Sequence, residues 1–145
     1  MNFSILPFKE DYKDQLVSVW GKSVARTHHF LKLTDFVEIR ELVKQMDFTQ
    51  FEVYCLIQEQ KVLGFVGLTG NKVEMLFLDP DHIGKGLGRK LMDFAIQELK
   101  ANEVDVNEEN TNAVTFYKKL GFEVYERSDK DDQGRDYPIL KMRLN

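Results

Sequence analysis

The sequence has a single cysteine, Cys55, so no internal disulfide forms and the fold must rest on its core. Cys55 sits in the apolar run Val53-Tyr54-Cys55-Leu56-Ile57, which reads as a buried, inert thiol. Long hydrophobic runs are missing too. The start, Met1-Asn2-Phe3-Ser4-Ile5-Leu6-Pro7, has no basic segment followed by an apolar stretch, so neither a signal peptide nor a transmembrane segment is expected, and the expected compartment is the cytoplasm. There is no excess of positive charge. The formal net charge of −4 argues against broad binding to nucleic acid or to an anionic membrane. Repeats, low-complexity tracts and a linker rich in Pro, Gly or Ser are absent, and 145 residues suit one domain, 1–145.

What is present is an ordinary apolar content of 43% and a charged content of 30%, distributed with clear periodicities. Residues 3–8 read as a first strand. Leu16, Val17, Trp20 and Val24 recur at helical spacing within 10–26, and Phe36, Ile39, Val43 and Met46 do so within 35–46. The period then changes. Residues 51–58 and 62–69 are β-rich around Glu59-Gln60-Lys61, a short hairpin turn, and 73–78 form a third run ended by Asp79-Pro80-Asp81. Leu87, Leu91, Phe94, Ala95 and Leu99 mark another helix, and 104–106 a short strand. Asn110 is a good N-cap for a helix carrying Ala113, Phe116, Tyr117 and Leu120, with Gly121 where a C-terminal glycine belongs. Residues 122–127 and 138–143 are two last strands. The order β-α-α-β-β-β-α-β-α-β-β predicts an α/β (α+β) domain: a mixed, mostly antiparallel sheet of about seven strands with helices on both faces.

Gly84, Gly86 and Gly88 alternate directly after a strand and turn, at the start of a helix. Glycine admits positive φ and close approach of a ligand to the backbone. A helix N-terminus adds unpaired N–H groups and partial positive charge, and together they suit a pyrophosphate. Lys85 and Arg89 can add charge at the rim. The loop is neither a Walker A sequence nor the Gly-x-Gly-x-x-Gly dinucleotide fingerprint, and the strands before it are joined by hairpins rather than βαβ crossovers.

Two segments carry a family resemblance. Met75-Leu76-Phe77-Leu78-Asp79-Pro80 followed by Gly84-Lys85-Gly86-Leu87-Gly88-Arg89-Lys90-Leu91 resembles the coenzyme-A loop, Gln/Arg-x-x-Gly-x-Gly/Ala, of the GNAT family of N-acetyltransferases. Asn107-Glu108-Glu109-Asn110-Thr111-Asn112-Ala113-Val114-Thr115-Phe116-Tyr117-Lys118-Lys119-Leu120-Gly121-Phe122 resembles that family's Asn-x-x-Ala-x-x-Phe-Tyr-x-x-x-Gly-Phe segment. Within the family, the stretch from Trp20 to Leu31 is similar to a YjaB-like bacterial subgroup. One position departs: Ile83 stands where the pattern has Gln or Arg, which removes one pyrophosphate contact and predicts weaker coenzyme binding.

The resemblance implies transfer of an acetyl group from acetyl-CoA to a primary amine, a peptide or protein lysine being the acceptor the subgroup suggests and a small amine the alternative. It implies a donor site of Leu76, Phe77, Leu78, Ile83, Gly84, Lys85, Gly86, Leu87, Gly88, Arg89, Asn110, Ala113 and Phe116. The pantetheine arm would pair along 76–78 like an added strand. Tyr117, whose hydroxyl is protonated at neutral pH, would donate a proton to the leaving thiolate. Two residues compete as general base: Glu74, which strand alternation sets on the face of Leu76 and Leu78, and His28, whose imidazole titrates near neutrality. No metal site is expected: His28-His29 lacks a third ligand, and Asp129-Lys130-Asp131-Asp132-Gln133-Gly134, which looks like the start of an EF-hand loop, has Leu140 where the closing Glu belongs. Family members often form dimers, so a homodimer stays open. A reading from another class, a non-catalytic acyl-CoA-binding module on the same fold, is the alternative; Tyr117 favours the enzyme.

Overall fold

In the computed structural model, residues 3–82 and 84–144 are described, and the periodicities resolve into seven strands and four α-helices. β1 is Ser4–Pro7, and a short 3-10 turn at Glu10–Tyr12 leads into α1, Lys13–Thr27. Leu16, Val19, Trp20 and Val24 line its buried stripe. α2 is Leu33–Gln45, starting two residues before the expected point; its Phe36 ring stacks on Trp20 at 5.5 Å and 9°. Trp20 is therefore a packing residue at the α1–α2 contact.

β2 (Glu52–Gln58) and β3 (Lys61–Thr69) form a hairpin whose turn residues Glu59 and Gln60 both have positive φ, 50° and 67°. That is the backbone of a two-residue hairpin turn, made here without glycine. β4 (Lys72–Leu78), α3 (Leu87–Glu98), β5 (Glu103–Asn107), α4 (Thr111–Lys119), β6 (Phe122–Ser128) and β7 (Ile139–Leu144) complete the chain. β5 is longer than the apolar signal implied, because Glu103, Asp105 and Asn107 alternate with the buried Val104 and Val106.

The strand order is β1-β2-β3-β4-β5-β7-β6, antiparallel except between β4 and β5. That parallel pair joins at two positions only, Lys72↔Glu103 and Val73↔Val104. Below it, Asn71 closes the junction by accepting from the N–H of Asn102 and Glu103 and donating from its amide to Asn102 Oδ1 at 2.7 Å. Beyond Val73 the two strands part. The divergence coincides with a β-bulge: Gly67 pairs with Met75 and Leu68 with Val73, so Glu74 has no partner on β3.

Two cores fill the two faces. On one, Leu91, Met92 and Ala95 of α3 and Tyr117 of α4 pack on Val66, Val104, Phe122 and Met142. On the other, α1 and α2 cover Val53, Cys55, Val62 and Phe65. Cys55 is fully buried there, and burial pushes its thiol up to about 12. No helix among the described residues is long and apolar enough to cross a membrane.

Candidate active site

The glycine loop and the parting of β4 from β5 lie side by side. β4 ends at Leu78, and the buried Asp79 fixes the next turn: its N–H donates to the Leu63 carbonyl at 2.8 Å and its Oδ1 accepts from the Asp81 N–H at 3.0 Å. The loop then rises into α3 through Gly84 and Gly86, with φ of 89° and 71°. Both conformations favour glycine, and among the described residues a Cβ at either position would meet nothing within 4 Å, which leaves room over the backbone here. Among the described residues no side chain caps the N–H groups of the first turn of α3, and no acidic residue lies in that turn. Lys85 reaches His82 Nδ1 at 3.2 Å, while Arg89 is paired with Asp93 at 3.2 Å. Uncapped donors, a positive helix end and room above two glycines fit a pyrophosphate. His82 has no motif signal; its contact with Lys85 follows from the Pro80–His82 turn. Ile83, expected to mark a weak point of this loop, lies outside the described residues.

Leu87 and Gly88 are buried where α3 begins, Gly88 close against Leu78 and the Phe116 ring. Leu76 and Leu78 face the α3–α4 core, while Phe77 turns to the other face and packs on Phe65 at 5.7 Å. Because β5 has left, the outer edge of β4 beyond Val73 has no strand beside it among the described residues. Asn110 caps α4 by accepting from the Ala113 N–H at 3.2 Å. Tyr117 is buried between Phe116 and Phe122, its hydroxyl without a hydrogen bond among the described residues, and desolvation raises its pKa far above the ordinary 10.0. It stays protonated throughout the physiological range.

Glu74 requires a correction of face. The expected alternation set it beside Leu76 and Leu78, but the bulge adds one residue and breaks the period. Glu74 instead joins Lys72, whose ammonium lies 3.5 Å from it and 2.6 Å from Asp105. Asp105 points away from the core that holds its neighbours Val104 and Val106, so Glu74 shares the α1–α2 side of the sheet. His28 is on that side as well, closing the C-terminus of α1 with its N–H on the Val24 carbonyl. Its Nδ1 is 2.7 Å from Thr27 Oγ1, its ring is 5.2 Å from Phe30, and burial, reinforced by His29, lowers its pKa.

A family described as acetyltransferase (GNAT) domain matches residues 8–144. The chain belongs to that family. It is 36% identical over 143 residues to the peptidyl-lysine N-acetyltransferase YjaB of Salmonella typhimurium, covering 98% of each chain, and 36% identical to the Escherichia coli protein of the same name, covering 98% of this chain and 97% of that one. The solution structure of apo-form YjaB from E. coli superposes with a TM-score of 0.91 over 99% of this chain and 98% of the other. A PaiA N-acetyltransferase from Thermoplasma acidophilum, solved in complex with coenzyme A, shares the fold at a TM-score of 0.76 and 22% identity, covering 99% and 100% of the two chains. The chain is thus an acetyl-CoA-dependent N-acetyltransferase of the GNAT family, with the seven-stranded mixed sheet expected of it.

The enzyme's structure also assembles a rim that sequence reading missed. The loop between β6 and β7 is a turn closed by Asp131, whose Oδ1 accepts from the N–H of Gln133 and Arg135; its carboxylate serves the backbone, in keeping with a charged turn. Arg135 then reaches Glu38 at 2.9 Å, and Tyr137 donates to Asp35 while accepting from the Lys32 N–H at 3.1 Å. These contacts tie the β6–β7 loop to the start of α2. Phe30 joins the same rim, 6.0 Å from Tyr137. Asn107, at the end of β5 where the strands have parted, keeps a buried Oδ1 with no partner among the described residues.

Proposed function

We propose that the enzyme acetylates the ε-amine of a lysine held in a peptide or protein. The observation that carries this reading is the parting of β4 and β5 beside the uncapped start of α3. One side of that opening suits the donor, and the other is rimmed by the α1–α2 segment and the β6–β7 loop. The names of the relatives that match over nearly the full chain agree with a lysine acceptor.

Acetyl-CoA supplies an activated acyl group when bound. The backbone donors from Gly84 to Gly88 hold its pyrophosphate, with Lys85 at the rim, and the free edge of β4 from Leu76 to Leu78 pairs with its pantetheine arm. Asn110 fixes the start of α4, so that Ala113, Phe116 and Tyr117 face the same opening. Lysine has an ordinary pKa of about 10.4, so its ammonium must give up a proton before the nitrogen attacks. Glu74 and His28 stand on the acceptor side as the groups able to take it. Tyr117 keeps a proton for the departing thiolate.

The test is a panel of acceptors with acetyl-CoA, read as release of free thiol. Lysine-bearing peptides are expected to outpace free small amines and peptides whose only amine is the N-terminus. Faster turnover of small amines would overturn the peptide-lysine assignment, and thiol release that no amine accelerates would favour a binding module.

A further inference from the structure

The hydrogen bonds around Thr27 do more than end a helix. Thr27 Oγ1 lies 2.8 Å from the Ser23 carbonyl oxygen and 2.7 Å from His28 Nδ1. A carbonyl oxygen only accepts, so the one hydroxyl proton is committed to Ser23. The second short contact then needs a proton from the ring, and Nδ1–H donates to Oγ1. A neutral imidazole carries one N–H, so Nε2 is left with a free lone pair. Nε2 makes no hydrogen bond to the described residues.

A chain of contacts leads from the ring to the end of β5. It packs on Phe30, which packs on Tyr137, and the chain after Tyr137 enters β7 with Ile139 opposite Asn107. Asn107 is the end of β5 distant from the Lys72–Val73 junction, where β4 has moved away. Burial also favours the neutral ring. Glu74, by contrast, already faces the Lys72 ammonium.

We propose that Thr27 is a positioning residue for the transfer: it holds His28 in the Nδ1–H tautomer, with Nε2 as the acceptor of the proton that the substrate amine gives up. The proposal rests on the lysine-acetylation reading above. Nε2 takes one proton from the lysine ammonium. The nitrogen lone pair so freed forms the C–N bond to the acetyl carbon as the C–S bond breaks, and the sulfur keeps that electron pair. Tyr117 protonates the thiolate and is reprotonated by the excess proton of the new amide nitrogen. One proton, held on His28, passes to solvent.

Nitrogen-15 NMR of the imidazole in the wild-type protein, above the pH at which His28 titrates, reads the tautomer without any substrate. Protonated Nδ1 and bare Nε2 are expected; a protonated Nε2 overturns the proposal even if the enzyme acetylates lysine. Thr27→Val keeps the shape and removes the hydroxyl. It is expected to lose the fixed tautomer and to lower kcat with a lysine peptide by at least about tenfold, with KM for acetyl-CoA unchanged. Thr27→Ser restores the hydroxyl and is expected to recover most of the rate. Unchanged kcat in folded Thr27→Val overturns the positioning role alone, whereas a wild-type enzyme inert towards every lysine peptide overturns the functional reading and leaves the tautomer measurement standing.

Discussion

Replacing Gly86 by alanine separates the loop's conformational demand from its role in binding. Gly86 has φ of 71° and ψ of 20°, the left-handed region, at the N-cap of α3. An alanine there costs about 1–2 kcal/mol of backbone energy, offset by about 0.4–1 kcal/mol because the unfolded chain is also less free. No steric cost is added, since a Cβ would meet nothing within 4 Å. The net loss is about 1 kcal/mol. A chain of 145 residues unfolds with an entropy of about 0.3 kcal/mol per kelvin near its midpoint, so Tm should fall by about 3 °C. Binding should suffer more. The methyl group would occupy the open space over the loop and hold the pyrophosphate away from N–H donors, each worth about 1.5–3 kcal/mol to a charged acceptor. Losing one such contact weakens binding by about tenfold to about a hundredfold. Calorimetric titration with coenzyme A and a thermal melt on the same sample measure both effects, and kcat at saturating acetyl-CoA should stay near the wild-type value. Unchanged affinity for coenzyme A in a folded Gly86→Ala protein would refute the assignment of the loop to the pyrophosphate.

Tyr117→Phe should lower kcat by about 10²-fold or more while leaving Tm nearly unchanged, because the hydroxyl makes no hydrogen bond among the described residues; a wild-type rate removes its role as proton donor. The Cys55 thiol, raised from 9.0 to about 12, keeps its proton in the folded state while the unfolded chain loses it above pH 9. Its contribution to stability is therefore complete below pH 9 and lost by up to about 1.4 kcal/mol per pH unit as pH rises towards 12, so urea midpoints measured from pH 8 to 11 should fall less steeply in Cys55→Ala. Glu59→Asn with Gln60→Gly relieves two positive-φ residues in the β2–β3 turn and should raise Tm by a few degrees, which differential scanning calorimetry would record; a lower Tm contradicts the turn geometry.

Local periodicity made most of the fold legible. α3 was readable because Leu87, Leu91 and Ala95 recur on its buried stripe, and α4 because Asn110 announces its start and Gly121 its end. Phe94 was assigned to the same stripe as Leu91, but it packs to one side on Tyr54, 4.9 Å away. The misjudged face of Glu74 has a definite cause: a bulge inserts one residue into an alternating pattern, and the strand carries no glycine to signal it. The polar residues of the site were harder to foresee. Lys72 meets Asp105 across a parallel junction, and Arg135 and Tyr137 meet Glu38 and Asp35 across about a hundred residues of chain, so only the folded sheet brings them together. The glycine loop and Tyr117 were legible because their chemistry is written in short contiguous segments.

The two-position junction of β4 and β5 also governs how the sheet bears strain. Within each half, strands are held by long ladders of directional hydrogen bonds, broken only by bulges, from β1 to β4 and from β5 to β6 through β7. Across the junction, the short ladder and the polar contacts of Asn71 and Lys72 are joined by the apolar cluster that holds Leu91, Met92, Val104, Phe122 and Met142. Hydrogen bonds fix an angle, whereas apolar contacts resist separation but tolerate sliding. The angle between the halves therefore depends in part on the volume of a few buried side chains, and a methylene added or removed at Met142 is expected to alter the width of the cleft from beneath the atoms that line it.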